Sequence, residues 1–385
     1  MKIGIVGGGA AGLFFALFVS AAHPDWRIEI YEKEERVGRK ILATGNGHCN
    51  ILNDNPTPDS YSDKRVSGYF ASCGYETLRQ ALEGQGIYLQ KRKEGIYPLT
   101  YSAASLLSFL LDVLSSRKVV FFTGFKALDY VNSSAGTDIL LDHDTKRHVD
   151  FLVISTGGKS SPKLGSDGSF FPVLSKHGYK VANPVPALSP IKVKEVGLGI
   201  LKGVRHRCLV SVVADGNVVS REEGEILFKE DGLSGIVAFN TSSLLSWKGL
   251  WNSSSIAIDL FPELSEAELR EMAKKAERLG GRPFETIIEK NLATYVLKRS
   301  EREKKDPVAI LKNLVFHPSA SYGFNDSQIT HGGVLLDDVD LALRSKIEKG
   351  VGIIGEALNV DGKCGGYNLT WALATAYLLA AALKS

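Results

Sequence analysis

The feature that most restricts what this chain can become is the spacing Gly7-x-Gly9-x-x-Gly12, read together with what flanks it. Before it lies the apolar run KIGIV, residues 2–6, the pattern of a central parallel strand buried on both faces. After it, residues 11–22 read as a helix that stops near His23-Pro24, where proline cannot continue it. Residues 27–31 (RIEIY) then alternate as a second strand that ends at Glu32. Strand, glycine turn, helix and strand make a βαβ opening. In such a turn the first glycine permits the tight bend, the second lets backbone approach a pyrophosphate, and the third lets helix and strand pack closely. The free N–H groups at the helix start favour phosphate oxygens. Glu32 follows Gly12 by the interval at which an acid reaches an adenosine ribose, and its charge disfavours a 2′-phosphate there. The opening also has the outline of a secretory signal, with a lysine, an apolar run and small residues. A signal has no use for glycines at 7, 9 and 12, so the strand–turn–helix reading is preferred.

At 385 residues the chain is long enough for two or three domains. Its net charge of +3 is too small to argue for nucleic acid or an acidic membrane surface. Cys49, Cys73, Cys208 and Cys364 form no CxxC pair, which excludes a zinc ribbon or dithiol motif and fits a reducing, cytoplasmic setting. Residues 38–60 read as a loop, residues 76–85 as a helix, and SAASLLSFLLDVLSS as another helix. The segment KVVFFTGFKALDYV reads as strand, and DILLDHDTKRHVDFLVISTGG as a hairpin feeding an apolar strand that stops at Gly157-Gly158. The composition changes near PVPALSP, residues 184–190. Residues 191–260 then read as β-like, with a hairpin turn at Asp215-Gly216 or Gly216-Asn217. Residues 263–315 become helical and charged, with Ser265 and Glu268 as a capping box. The last segment, YNLTWALATAYLLAAAL, is almost long enough to span a bilayer. Asn368, Thr370 and Thr375, and the lack of flanking charge clusters, favour a buried helix.

Three further glycine-bearing segments separate a flavin from a nicotinamide cofactor. The loop GRKILATGNGHCN (38–50) is more than adenosine binding needs. A pair in ISTGG follows a late strand, and GIIGEALNVDGKCGGYNLTWALA lies at the end of the sequence. A ligand touched near residues 10, 45, 157 and 356–368 is long, as FAD is. No second βαβ opening built on a GxGxxG turn is read, which argues against a separate NADPH domain of the disulfide-reductase kind. Together with THGGV, these motifs resemble the BaiN/YhiN-type bacterial flavoproteins, whose relatives include enzymes called aminoacetone oxidases. The resemblance spans both ends and most of the length.

That resemblance implies an α/β fold: a Rossmann-like FAD-binding domain of the glutathione-reductase type, interrupted by a β-rich middle domain carrying a helical insert. The expected limits are 1–188 with 326–385 for the FAD domain, 189–260 with 306–325 for the substrate or cap domain, and 261–305 for the insert. By motif, Gly7, Gly9, Ala10, Ala11 and Gly12 resemble the pyrophosphate turn, Glu32 and Lys33 the adenosine side, and Phe125, in the strand GFKAL, the backbone contact to adenine. Arg39, Lys40, Asn46 and Cys49 resemble the loop along the flavin, and Thr156 and Gly157 the second phosphate-side turn. Gly355 and Glu356 resemble the contact to ribityl or phosphate, and Gly366, Tyr367, Asn368 and Leu369 the helix start beneath the isoalloxazine. His48 stands where the family more often has arginine. Candidates for catalysis beside the flavin are His331 and Tyr367, with Cys49 as a redox thiol; no metal site is expected. FAD is expected to be non-covalent, with NAD(P)H as a possible visiting reductant. The substrate is expected to be a small molecule, with no nucleic-acid partner and no membrane span. Two reactions fit: oxidation of a small amine with O₂, and NAD(P)H-driven reduction of an activated C=C bond. The alternatives from other classes are an FAD-binding redox-responsive or RNA-associated scaffold without turnover, and an NAD-linked dehydrogenase without flavin.

Overall fold

A computed structural model describes residues 1–92 and 95–383. In it Lys2–Val6 and Arg27–Glu32 are adjacent parallel strands, with Ile3 opposite Ile28 and Ile5 opposite Ile30. Five parallel strands form the sheet, in the order Val351–Ile353, Phe151–Ile154, Lys2–Val6, Arg27–Glu32, Val120–Thr123. Its inner strands are buried over most of their length, because helices pack on one face and the segment 136–149, with Ile139 and Val149, packs on the other, which leaves no side for polar alternation. The helices Ala10–Ala22 and Tyr367–Ala382 pack on each other and are apolar nearly all round. The few polar residues of the second are spent inside the fold. Thr370 Oγ1 accepts from the Asn53 N–H (2.8 Å), and Thr375 Oγ1 accepts from the Gly355 N–H (3.0 Å). No helix among the described residues is long and apolar enough to cross a membrane.

The chain divides into two compact units, Met1–Val185 with Gln328–Ser385, and Pro186–Ser327. In the first, an antiparallel three-stranded sheet is built from Ala127–Ser133, Gly136–Leu141 and Lys146–Val149. The second holds a seven-stranded antiparallel sheet, whose longest hairpin joins Arg205–Ala214 to Asn217–Phe228 through Asp215-Gly216, both at positive φ as that turn demands. The capping box at Ser265 and Glu268 starts the helix Glu266–Arg278.

Local expectations are corrected in three stretches, and a hairpin appears in a fourth. KVVFFTGFKALDYV is two strands, Val120–Thr123 and Ala127–Ser133, broken where Gly124 takes φ +73°. Phe125 therefore lies between strands and not within one. The 38–60 stretch contains the short helix Arg39–Ala43 and two 3₁₀ turns. A hairpin, Leu89–Arg92 with Gly95–Pro98, precedes the helix Ala103–Ser116. Residues 236–248, read as β-like, form a helix. Its β-branched start and lack of a polar stripe hid it. Most of its surface is buried, and even its hydroxyls serve the interior: Ser243 Oγ accepts from the Leu188 N–H (3.0 Å) and Ser242 Oγ from the Ser189 N–H (2.9 Å).

An ionic knot ties the three-stranded sheet to the rest of its unit. His177 reaches Asp129 through Nε2 (2.9 Å) and Glu348 through Nδ1 (3.0 Å), while Tyr130 stacks on its ring at 3.8 Å. Burial alone would raise the Asp129 carboxyl. Hydrogen bonds from Lys176, His177 and the Tyr130 N–H instead hold it down to about 2. A carboxyl depressed on folding stabilises fully above its unfolded value of about 3.9 and loses that contribution as pH falls toward 2. Asp129→Asn is therefore expected to cost on the order of 2 kcal/mol at neutral pH. In urea titrations at stepped pH, its gap from wild type should close between about pH 4 and pH 2.

Candidate functional site

The glycine turn builds one end of the site. Gly7 takes φ +103°, and a Cβ there would drive into the Ser155 carbonyl, so the turn and the neighbouring strand approach as only glycine permits. Ser155 Oγ donates to the Gly7 carbonyl (2.8 Å) and fixes that approach. Gly9 is different. Its backbone is extended (φ −81°, ψ −170°), and a Cβ added there meets no atom within 4 Å. No side chain caps the helix that follows, and no acid occupies its first turn. The result is a helix N-terminus facing open space, the arrangement that binds phosphate oxygens.

Beside it lies a cleft with about 470 Å³ of open space, walled by Gly7, Glu32, Lys33, Phe125, Thr156 and Gly157 among others. These six positions come from four separate stretches of sequence and were each expected at the adenosine or phosphate side. Glu32 is held by its own turn, Oε2 accepting from the Gly8 N–H and Oε1 from the Glu34 N–H, both at 2.9 Å. Each oxygen keeps a further lone pair for a ribose hydroxyl. Two hydroxyls, Thr156 Oγ1 and Ser166 Oγ, are buried with no hydrogen-bond partner. Buried polar atoms are rarely left so, and this pair marks where a polar ligand fits. The residues present suit an adenosine diphosphate moiety. The Phe125 N–H already donates to the Glu32 carbonyl (3.0 Å), which leaves its carbonyl for an adenine amino group.

The other predicted residues lie on the 39–50 segment, on the turn at Gly355 and Glu356, and at the start of the final helix. Lys40 Nζ pairs with Glu356 Oε2 (2.8 Å), and Glu356 Oε1 accepts from the Thr330 N–H (2.9 Å). Glu356 is thus neutralised and held, a different task from meeting a phosphate directly. Arg39 pairs with Glu34. Gly45 and Asn46 are both left-handed (φ +55° and +53°), which curls the 44–50 segment back on itself. A Cβ on Gly366 (φ +87°) would sit 2.7 Å from the Leu52 carbonyl, so the segment after that curl lies against the start of the final helix. Asn53 Nδ2 donates to the Gly365 carbonyl (2.8 Å), and the Tyr61 hydroxyl to the Tyr367 carbonyl (2.9 Å). Asn368 clasps Gly362, accepting from its N–H (2.7 Å) and donating to its carbonyl (2.9 Å). Leu369 packs on the core, and no side chain caps this helix either. Gly355 takes φ +69° and is held by Thr375 and by Trp371 Nε1.

Of the candidates for chemistry, Cys49 is the most deeply buried. It is 1% exposed, and burial pushes its thiol up to about 11 despite a hydrogen bond with Thr44. Reactive thiols sit in electropositive, partly exposed surroundings, and these surroundings suit a packed thiol. The Tyr367 ring packs edge-on against Tyr61 at 5.7 Å. His331 gains a partner the sequence did not reveal: its Nδ1 lies 2.8 Å from Oδ1 of Asp361, a carboxylate with no exposure. The Asp361 N–H donates to Ser62 Oγ (3.1 Å) and its carbonyl accepts from the Ser62 N–H (2.8 Å). His48 lies over the Tyr101 ring (3.9 Å) and bonds the Tyr101 carbonyl through Nδ1 (2.9 Å).

Comparison with known proteins agrees with this fold. A family model described as HI0933-like protein Rossmann domain matches residues 1–382. A 3-dehydro-bile acid delta(4,6)-reductase of Clostridium scindens is 31% identical over 402 residues, covering 98% of this chain and 97% of that protein. A ribosomal RNA dihydrouridine synthase of Haemophilus influenzae is 24% identical, covering 99% and 98%. Among solved structures, a 3-ketosteroid-delta4-(5alpha)-dehydrogenase from Rhodococcus jostii shares the fold with a TM-score of 0.52 at 12% identity, over 100% of this chain and 97% of that one.

Gly9 offers a direct check of the cleft. Gly9→Val adds a side chain where the protein has no atom but a pyrophosphate would lie. The variant is expected to melt like wild type without ligand and to bind an adenine dinucleotide at least about tenfold more weakly by calorimetry.

Proposed function

The chain belongs to the HI0933-like family of FAD-dependent oxidoreductases, and from that premise we propose that it saturates a C=C bond conjugated to a ring carbonyl. Support comes from the names of its relatives. A delta(4,6)-reductase of a 3-dehydro-bile acid and a dihydrouridine synthase both saturate a double bond in conjugation with a carbonyl. That common chemistry favours C=C reduction over amine oxidation. The relation at 31% identity over 98% of the chain carries the reading, and it favours a fused-ring, 3-oxo-steroid-like enone. Uridine in RNA is the second reading, because the 24%-identical relative is named for it.

FAD, when bound, supplies the hydride at its N5, and NAD(P)H is the reductant we assign to recharge it. The rest falls to the chain. The uncapped helix at Gly9 binds the pyrophosphate, and Glu32 the ribose. Lys40, steadied by Glu356, and the N-terminus of the final helix lie along the flavin half and favour negative charge there. A conjugated C=C that accepts hydride at its β-carbon also needs a proton at its α-carbon. In this reading the His331 imidazolium holds that proton at Nε2, while its Nδ1–H donates to the Asp361 carboxylate, which orients the ring. Cys49 packs, and does no chemistry.

The test offers the purified protein a 3-oxo-4-ene steroid acid, a uridine-bearing ribosomal RNA fragment, and a small amine in air. Enone-dependent consumption of NADH or NADPH, with a saturated product by mass spectrometry, is expected. His331→Gln should slow turnover about 100-fold while leaving flavin content unchanged. Peroxide formed from the amine, with no reduction of enone or uridine, would sink the reading.

A further inference from the structure

Gly165, Asp167, Gly168 and Ser169, in the segment 161–169 (SPKLGSDGS), line the adenosine cleft. The segment is shaped by left-handed residues, Ser161 (φ +61°), Gly165 (φ +98°) and Gly168 (φ +71°). It meets the turn after Glu32 at two places. A Cβ on Gly165 would come within 2.9 Å of Glu34 Cγ, and Lys33 Nζ lies 2.6 Å from Asp167 Oδ1. Asp167 is further fixed by the Ser169 N–H, which donates to the same oxygen at 3.0 Å. Between these contacts lies Ser166, 6% exposed, whose hydroxyl has no partner. Gly157, on the opposite turn, stands close by: its Cβ would be 3.4 Å from Ser166 Oγ.

We propose that the 161–169 segment is a strap that retains the cofactor: Ser166 Oγ donates to the adenosine half of FAD, and the Lys33–Asp167 ion pair holds the strap shut across it. The proposal rests on the FAD reading of this cleft. Leaving a buried hydroxyl unpaired destabilises the protein, and a ligand oxygen beside it removes that penalty. Lys33 and Asp167 are partly exposed, 20% and 39%, so their pair adds little to folding. It nevertheless joins the two lips of the cleft, so it must open before the ligand leaves. Its effect belongs to the release rate, and added salt screens it.

The experiment measures FAD release from the loaded protein by the rise of flavin fluorescence, at low and high salt. Lys33→Met and Asp167→Asn are each expected to release FAD about three- to tenfold faster at low salt and to lose wild type's salt dependence. The charge swap of Lys33→Asp with Asp167→Lys should recover part of the slow release, which separates a latch from general damage. Ser166→Ala should release FAD several-fold faster at all salt concentrations, while the ligand-free protein melts no lower than wild type, since the substitution removes an unpaired polar atom. Release rates of the Lys33 and Asp167 variants equal to wild type at every salt concentration would overturn the latch. Unchanged release from Ser166→Ala would overturn its role as a ligand. Wild type that takes up no FAD would instead overturn the cofactor reading, and this proposal with it.

Discussion

Much of the first unit follows from the contact between two backbones, the turn at Gly7 and the strand end at Ser155. Their closeness leaves no room for a Cβ at residue 7, and it sets Lys2–Val6 between Arg27–Glu32 and Phe151–Ile154. The same turn aims the Ala10–Ala22 helix so that its N-terminus opens on space and not on protein. Glu32 and Thr156 sit at the ends of the flanking strands, so one close approach assembles a carboxylate, a hydroxyl and a row of amides around a single cleft. Ligands of parallel sheets bind beyond the carboxyl ends of the strands, and here the backbone contact decides which residues stand there.

The surroundings of the final helix are organised by hydrogen bonds between segments some three hundred residues apart. Asn53 reaches Gly365 and Thr370, Tyr61 reaches Tyr367, Ser62 reaches Asp361, and Lys40 reaches Glu356. Each bond ties the segment after the first βαβ unit to the loop before the final helix. The ties hold left-handed glycines at 355, 365 and 366 in place without capping the helix they precede. A pre-arranged N-terminus of this kind suits negative charge on a planar ring.

Sequence was most informative where the backbone itself was constrained. The glycine spacing, the apolar run 2–6 and the acid at 32 together fix strand, turn and helix, and Asp215-Gly216 fixes its hairpin. The helix Ile236–Lys248 was hidden because a helix buried on most of its surface has no polar stripe to show a 3.6-residue period. Phe125 was misplaced because a single left-handed glycine splits one apolar run between two sheets. Asp361 and Asp167 were not legible for another reason. Their meaning lies in partners distant in sequence, His331 for Asp361 and Lys33 for Asp167, and no local pattern carries such a pair. Cys49 was misleading in the opposite way: its glycine-rich surroundings suggest access, whereas the folded segment seals it.

The central claim is that a long adenine dinucleotide, FAD, lies along these two glycine-lined ends and is held without a covalent bond. The most direct measurement is the visible absorption spectrum of the purified protein, before and after heat denaturation and centrifugation. The account predicts flavin bands that move to the supernatant, where mass spectrometry identifies FAD. Protein without flavin bands that also takes up no added FAD would contradict it, as would release of FMN, which has no adenosine to fill the cleft.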